Sequence, residues 1–158
     1  MSQSPPKPAG ATGGDPLRDA LIQRVLDFTD AFNRDDLDAV MGYFAPDALY
    51  VTFEGKHCRG LTQVRAAFAP QFRGDFGRIR FLTDDVVVDA ASGKVVLSWR
   101  CQHELTRAPG PRQWLYRLAY GRDFGWYGVD VLHWEGGLLR EKRTYAQAGL
   151  PRVVRGKP

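Results

Sequence analysis

Hydrophobic positions in the first half of the chain recur at helical spacing. From Leu21 to Phe32 apolar side chains return every three or four residues, which predicts a helix with Leu21, Ile22, Val25, Phe28, Thr29 and Phe32 on its buried face. Asp15-Pro16 begins it, since Asp is a favoured N-cap and Pro suits the first turn. A second helix is predicted from Leu37 to Phe44, with Asp35 or Asp36 as cap and Pro46 as its end.

A third helix and a set of strands follow. The helix is predicted from Leu61 to about Phe68, stopping near Pro70. Alternating β-branched and aromatic residues predict a short strand at 48–53 and two hairpins, 78–89 with 94–105 and 126–134 with 138–146. The aromatic stretch 106–125 between the hairpins is either a longer hairpin arm or a loop insertion that acts as a lid. Helices followed by antiparallel strands predict an α+β fold.

Composition narrows the class of protein. The chain has 158 residues, 44% of them hydrophobic and 25% charged, which is typical of one packed domain and not of a disordered or membrane-spanning chain. The net charge is +4, and Arg152, Arg155 and Lys157 supply three of those charges in a basic tail at 149–158. Residues 1–14 are predicted to be a disordered leader and 15–148 a single domain. Because most of the excess positive charge lies in the tail and not on the domain, we expect no nucleic-acid partner and no membrane partner.

The cysteine, histidine and glycine positions show no pattern that is typical of a disulfide-dependent fold or of a cofactor site. Cys58 and Cys101 could form at most one disulfide, which a domain of this length does not need. No secretory signal is found at the N-terminus, so we expect a cytoplasmic protein. No His and Cys spacing is typical of a metal site, and no glycine loop lies between a strand and a helix. We expect neither a metal nor a nucleotide.

Four segments carry a resemblance to a known superfamily: residues 32–40, residues 43–48, Arg59-Gly60 with Val64 and Phe68, and residues 129–132 through Gly136-Gly137 to Tyr145. They resemble the nuclear transport factor 2-like superfamily, which includes SnoaL-like polyketide cyclases, ketosteroid isomerases and limonene epoxide hydrolases. The resemblance covers about residues 17–147. It implies a cone-shaped, curved antiparallel sheet wrapped around three N-terminal helices, a cystatin-like α+β barrel. It also implies a deep pocket and a homodimer.

Asp130 is the candidate catalytic residue. It is a charge in a mostly apolar strand, where an unpaired carboxylate would be costly, and it matches the acid that completes the oxyanion hole of ketosteroid isomerases. The other isomerase positions differ, because Phe28 stands where the family has a tyrosine and Thr52 where it has an aspartate. The resemblance therefore disfavours steroid isomerisation.

Epoxide hydrolysis is disfavoured on the same grounds. Tyr50 and Arg100 match the water-positioning tyrosine and the bridging arginine of limonene epoxide hydrolases. However, Gln102 and Thr144 stand where that family has its two acids, and Thr52 stands where it has an asparagine.

The residues around Asp130 leave two interpretations open. A two-residue turn at Gly136-Gly137 would place Arg143 opposite Asp130, and a three-residue loop would place Lys142 there, so Asp130 is either a catalytic acid or half of a salt bridge. His103 could be a general base, although strand alternation points it away from Arg100 and Gln102. His57 and His133 are interpreted as surface or core histidines.

We conclude from the sequence that this is a small-molecule pocket protein of the SnoaL-like, ketosteroid isomerase-like type. Its ligand would be a small hydrophobic molecule, an apolar carbonyl compound, on which it would act as an acid/base isomerase, cyclase or dehydratase. Asp130 would act as the acid or base. Hydrogen bonds to the ligand would come from Tyr50, Thr52, Arg100 and Gln102, and the apolar walls of the pocket from Phe28, Trp126, Leu132 and Trp134. The alternative is a non-catalytic ligand-binding or dimerisation module of the same fold.

Overall fold

The computed structural model describes residues 15–105, 110–120 and 123–147. They form helices α1 (Pro16–Asn33), α2 (Leu37–Gly42), α3 (Gly60–Phe72) and α4 (Pro111–Tyr120), and strands β1 (Phe44–Val51), β2 (His57–Arg59), β3 (Arg78–Asp89), β4 (Lys94–Glu104), β5 (Asp123–Glu135) and β6 (Leu138–Gln147). The predicted leader at 1–14 and the predicted tail at 149–158 lie outside the described residues.

The six strands form one curved sheet in the order β2-β1-β6-β5-β4-β3. Neighbouring strands are antiparallel except β1 and β6, which run parallel. The sheet is not closed, since β2 and β3 are its two edges. The predicted α+β class and both predicted hairpins are confirmed.

The ends of α1 and α2 follow from their capping residues. The Asp15 carboxylate accepts a hydrogen bond from the Leu17 N–H at 3.0 Å and begins α1. After α1 the chain turns at Asp35, which takes φ 57°, and the Asp36 N–H bonds back to the Ala31 carbonyl at 3.1 Å. Asp36 then caps α2 by accepting from the Ala39 N–H at 2.9 Å. This turn brings α2 directly after α1.

Several elements differ from the sequence predictions. Strand β1 runs from Phe44 to Val51 rather than over 48–53, and β2 was not predicted. Helix α2 ends at Gly42, and Pro46 lies within β1 rather than ending the helix. Pro70 lies inside α3, which continues to Phe72, because one missing N–H removes a single helical bond while the flanking ones persist. The stretch predicted as a hairpin arm or loop contains helix α4.

The core lies between α1, α3 and the inner face of the sheet. Alternate residues of β4 point inward and are buried: Val95, Leu97, Trp99, Cys101 and His103. Asn33, at the end of α1, ties the helix to the sheet, because its amide accepts from the Phe81 N–H at 2.7 Å and donates to the Phe81 carbonyl at 2.9 Å. None of the helices in the described part of the chain has an apolar stretch long enough to cross a membrane.

Candidate functional site

A cavity of about 340 Å³ lies between the helices and the inner face of the sheet. Its walls are mostly apolar and include aromatic rings from α1, α3 and three strands: Phe28, Phe32, Phe68, Phe81, Trp99 and Trp126. Polar side chains interrupt this lining around Asp130 and around His103, and four others also line the cavity: Thr29, Thr52, Glu54 and Gln71. A mostly apolar cavity with a few polar groups is the usual form of a small-molecule site.

A β-bulge determines which residues meet at Asp130. Trp134 pairs with Leu139 across the hairpin, but His133 pairs with Glu141, so Arg140 is the extra residue. This shift by one residue places Thr144 opposite Asp130. The sequence predictions that Lys142 or Arg143 stands directly opposite are corrected here, because both assumed a regular ladder.

Asp130 is nevertheless paired with Lys142, which lies diagonally across the two strands. The Lys142 ammonium forms an ion pair with Asp130 Oδ2, and the Thr144 hydroxyl donates to Asp130 Oδ1 at 2.6 Å. The exposed fractions of Asp130 and Lys142 are only 6% and 5%. Both carboxylate oxygens thus have a partner, and the pair is almost completely removed from bulk water.

Tyr50 completes this group from the neighbouring strand. It lies beside Lys142 in the parallel β1–β6 register, with the Lys142 Nζ 5.7 Å from the centre of its ring. Its phenol also hydrogen-bonds with the Thr144 side chain. We call Tyr50, Asp130, Lys142 and Thr144 the polar cluster.

Burial changes the proton affinities of the polar cluster. It raises the pKa of Tyr50, and the negative charge of Asp130 raises it further, so Tyr50 remains a neutral phenol that can donate a hydrogen bond. Burial lowers the pKa of Lys142, and the attraction of Asp130 opposes that change. Lys142 therefore gives up its proton more readily than a solvated lysine does.

His103 occupies the other polar part of the cavity. Its Nδ1 lies 3.0 Å from the Phe76 carbonyl oxygen, which can only accept, so Nδ1 carries the proton. Its Nε2 accepts from the Trp126 indole N–H at 2.9 Å. Burial lowers the pKa of His103, which keeps the imidazole neutral. Because the lone pair on Nε2 already has a donor, His103 is poorly placed to act as a base.

The Cys101 thiol lies beside His103, with its sulfur 3.6 Å from Nε2. Burial raises the pKa of this thiol to about 11, so it is neutral near pH 7. Among the residues that the structure describes, no three His, Cys, Asp or Glu side chains converge as metal ligands.

The two polar regions lie at different points along β4. Leu97 of β4 pairs with Asp130, whereas His103 pairs with Phe124. Six residues of strand separate Leu97 from His103, which corresponds to about 20 Å of strand at roughly 3.3 Å per residue. The cavity thus has a charged end at the polar cluster and a neutral end at His103.

The fold and this cavity agree with the family that the sequence matches. Residues 25–142 match the family described as the SnoaL-like domain. The chain belongs to the SnoaL-like domain family. This confirms the resemblance seen in the sequence. No curated protein sequence matches the chain.

Solved structures show the same architecture at low sequence identity. A candidate SnoaL-like polyketide cyclase from Jannaschia sp. CCS1 is 17% identical, with a TM-score of 0.67 over 86% of this chain and 91% of that one. AusH from Aspergillus nidulans is 18% identical, with a TM-score of 0.67 over 87% and 90%. A protein of unknown function with a cystatin-like fold from Methylobium petroleophilum PM1 is 17% identical, with a TM-score of 0.64 over 88% and 83%. At these identities the likeness concerns the fold.

The SnoaL-like cavity contains some of the residues that the sequence selected. Asp130, Tyr50, Thr52, Phe28 and Trp126 line it.

Other selected residues lie elsewhere. Leu132 and Trp134 are buried in the core outside the cavity lining, with the Trp134 ring 6.1 Å from that of Phe28. Arg100 and Gln102 are exposed on the outer face of the sheet, where the Arg100 Nε donates to Asp84 at 2.9 Å. The structure does not bring Arg100 and Gln102 to the cavity, because alternation along β4 turns them away from it.

Sequence reasoning missed three features of this SnoaL-like site. It named Lys142 and Thr144 without assigning either to the cavity, because the bulge that turns both toward Asp130 has no clear sequence signal. It also placed His103 away from the ligand-facing set, whereas His103 lines the cavity. The available signal was the alternation of apolar residues along β4. Val95, Leu97, Trp99 and Cys101 lie on the same face of the strand as His103.

Proposed function

We propose that this SnoaL-like chain binds a small apolar carbonyl compound in its cavity and transfers a proton at the carbon next to the carbonyl group. An isomerase, a cyclase or a dehydratase would use such a step. The observation that carries the proposal is a mostly apolar cavity of about 340 Å³ with one buried ion pair in its wall. This volume lies at the lower end of the range for small-molecule sites, roughly 300–1,000 Å³.

The polar cluster supplies the groups that this chemistry needs. A carbonyl oxygen at the charged end would accept a hydrogen bond from the Lys142 ammonium. The Tyr50 phenol would donate a second one by turning its hydrogen from Thr144 to the ligand, and both bonds would stabilise the negative charge of an enolate. The Asp130 carboxylate would accept the proton from the neighbouring carbon and return it at another position. Thr144 would hold the carboxylate by its hydrogen bond to Oδ1.

The fold family supports the same substrate class. One structural neighbour is a candidate polyketide cyclase, and polyketides are rich in carbonyl groups whose neighbouring carbons exchange protons. Because the likeness concerns the fold, the assignment of roles depends on the polar cluster itself.

The second candidate is a ligand-binding module without chemistry. It is favoured by the complete pairing of Asp130, whose two oxygens already have Lys142 and Thr144 as partners. In that case the ion pair would only hold β5 and β6 together below a pocket that stores or carries a ligand. Binding without proton transfer distinguishes this candidate from the first.

Proton exchange tests the proposal directly. In heavy water, 1-tetralone, a flat bicyclic ketone, should exchange the hydrogens beside its carbonyl faster with the protein than with buffer, measured by NMR. Asp130→Asn should reduce the enzyme-dependent rate by about 100-fold or more, as removal of a general base does. Asp27→Asn is the matched control, because Asp27 is an exposed carboxylate on α1 that does not line the cavity.

Tryptophan fluorescence separates binding from exchange. Saturable quenching by 1-tetralone with no accelerated exchange would support the binding module and overturn the catalytic proposal. If 1-tetralone causes no quenching and no accelerated exchange, the proposed ligand class is overturned.

We propose that two copies of the chain associate through the outer face of the sheet. Val96, Tyr127 and Tyr145 are exposed there on three adjacent strands. Exposed apolar side chains grouped on one face of a sheet are typical of a protein interface. Sedimentation should give the mass of a dimer, and Tyr127→Lys should give a monomer with its cavity intact. A wild-type monomer would contradict this part of the proposal.

We also propose a cytoplasmic location. Cys58 and Cys101 are both buried free thiols, which fits a reducing compartment. Fractionation of the source cells would test it.

A further inference from the structure

Lys142 differs from the other lysines that the structure describes. Its amine is buried in the wall of an apolar cavity, whereas Lys56 and Lys94 are exposed to water. A desolvated lysine in an apolar pocket is the form in which an amine acts as a nucleophile toward carbonyl groups. The ligand class proposed above brings a carbonyl group to this end of the cavity.

We propose that Lys142 forms a reversible imine with an aldehyde or ketone ligand, with Asp130 as the group that takes and returns the proton. The inference rests on the proposed function to the extent that the cavity must admit an apolar carbonyl compound. It adds a covalent step that neither the family nor the structural neighbours assign.

The neighbours of Lys142 allow every proton in this step to be accounted for. The ammonium of Lys142 passes a proton to the Asp130 carboxylate, with which it is already paired. The neutral amine attacks the carbonyl carbon, forming a C–N bond, and a proton moves from nitrogen to oxygen to give a neutral carbinolamine. The Asp130 carboxyl group then protonates the hydroxyl, the C–O bond breaks, and water leaves. The products are an iminium ion, one water molecule and the restored carboxylate.

The electrostatics of the cluster remain balanced through the reaction. The iminium ion keeps one positive charge on Nζ, so the ion pair with Asp130 persists. The Tyr50 ring, 5.7 Å from Nζ, faces a cation before and after the reaction. Burial also lowers the pKa of Lys142, which increases the fraction of neutral amine. The cavity can therefore hold the covalent product without leaving a buried charge unpaired.

Borohydride trapping tests the imine in the intact protein. The chain is incubated at pH 7 with 2-naphthaldehyde, reduced with sodium borohydride and mapped by peptide mass spectrometry. We expect Lys142 to be modified at least tenfold faster than Lys94, with a rate that saturates with aldehyde concentration and falls when 1-tetralone competes for the cavity. Modification spread evenly over Lys56, Lys94 and Lys142, without competition, would overturn the inference.

Two variants distinguish the loss of the imine from the loss of the folded structure. Lys142→Arg keeps a cation beside Asp130 but cannot form an imine, so it should remain folded by circular dichroism and lose the trapped adduct. Lys94→Met removes an exposed amine and should leave adduct formation at Lys142 unchanged.

The outcomes separate this inference from the proposed function. If 1-tetralone quenches tryptophan fluorescence while 2-naphthaldehyde gives no adduct at Lys142, the imine is refuted and the ligand site stands. If neither compound binds, the proposed function and the imine are both refuted.

Discussion

Replacing Lys142 alone should destabilise the protein far more than replacing Lys142 and Asp130 together. Lys142→Met leaves the Asp130 carboxylate buried without a cation, and breaking a buried pair in this way costs about 3–5 kcal/mol. One feature favours the lower end of that range, because the Thr144 hydroxyl still donates to Asp130 Oδ1.

We therefore expect Lys142→Met to lower the free energy of unfolding by about 3 kcal/mol. For a chain of this length, that corresponds to a fall in Tm of about 6–12 °C. The double variant Asp130→Leu with Lys142→Met removes both charges and should lie within about 1 kcal/mol of the wild type. Asp130→Leu alone strands the buried Lys142 ammonium and should also destabilise the protein, so the coupling energy between the two positions is about 2 kcal/mol or more.

Urea unfolding followed by tryptophan fluorescence and circular dichroism measures these values. Lys94→Met, which removes an exposed lysine, is the control and should change stability by less than about 0.5 kcal/mol. Single variants as stable as the wild type, or a double variant as unstable as the two losses added, would refute the reasoning.

Three further predictions concern other parts of the site. Because burial lowers the pKa of His103 below its ordinary value of 6.5, the unfolded chain binds a proton that the folded chain does not, so stability should fall as the pH drops below about 6.5. His103→Gln should remove that part of the pH dependence in urea titrations, and replacement of the exposed His57 by Gln should not. Gly128→Ala should weaken 1-tetralone binding at least tenfold in a fluorescence titration, because a Cβ there would overlap the Trp99 indole and force it to move; unchanged affinity would refute this. Asn33→Ala should cost about 2 kcal/mol in thermal unfolding, because it removes both hydrogen bonds to the main chain of β3, and a loss below about 0.5 kcal/mol would contradict that role.

The fold was predictable because its signals are local. Helical spacing, the caps at Asp15 and Asp36 and the glycine turn at Gly136-Gly137 each depend on a few neighbouring residues. The prediction that α3 stops near Pro70 failed because the local stop signal was weaker than assumed. Pro70 is tolerated inside α3, because the helix loses only one hydrogen bond there.

The candidate site was only partly predictable because it depends on register. Asp130 was identifiable as a charge in an apolar strand, and Lys142 as one of two candidate partners. The bulge at Arg140 decides between the partners, and a one-residue shift in a strand moves each side chain to the other face. Arg100 and Gln102 show the same limit, since a family alignment places residues at positions and does not report which face they take.

A crystal structure of the protein soaked with 6-bromo-1-tetralone would test the central claim most directly, because the anomalous signal of bromine locates the ligand without ambiguity. Our account predicts one bromine site inside the cavity, with the ketone oxygen within hydrogen-bonding distance of the Tyr50 hydroxyl or Lys142 Nζ. A ligand bound only on the outer face, or one whose carbonyl points to His103 and away from the polar cluster, would contradict it.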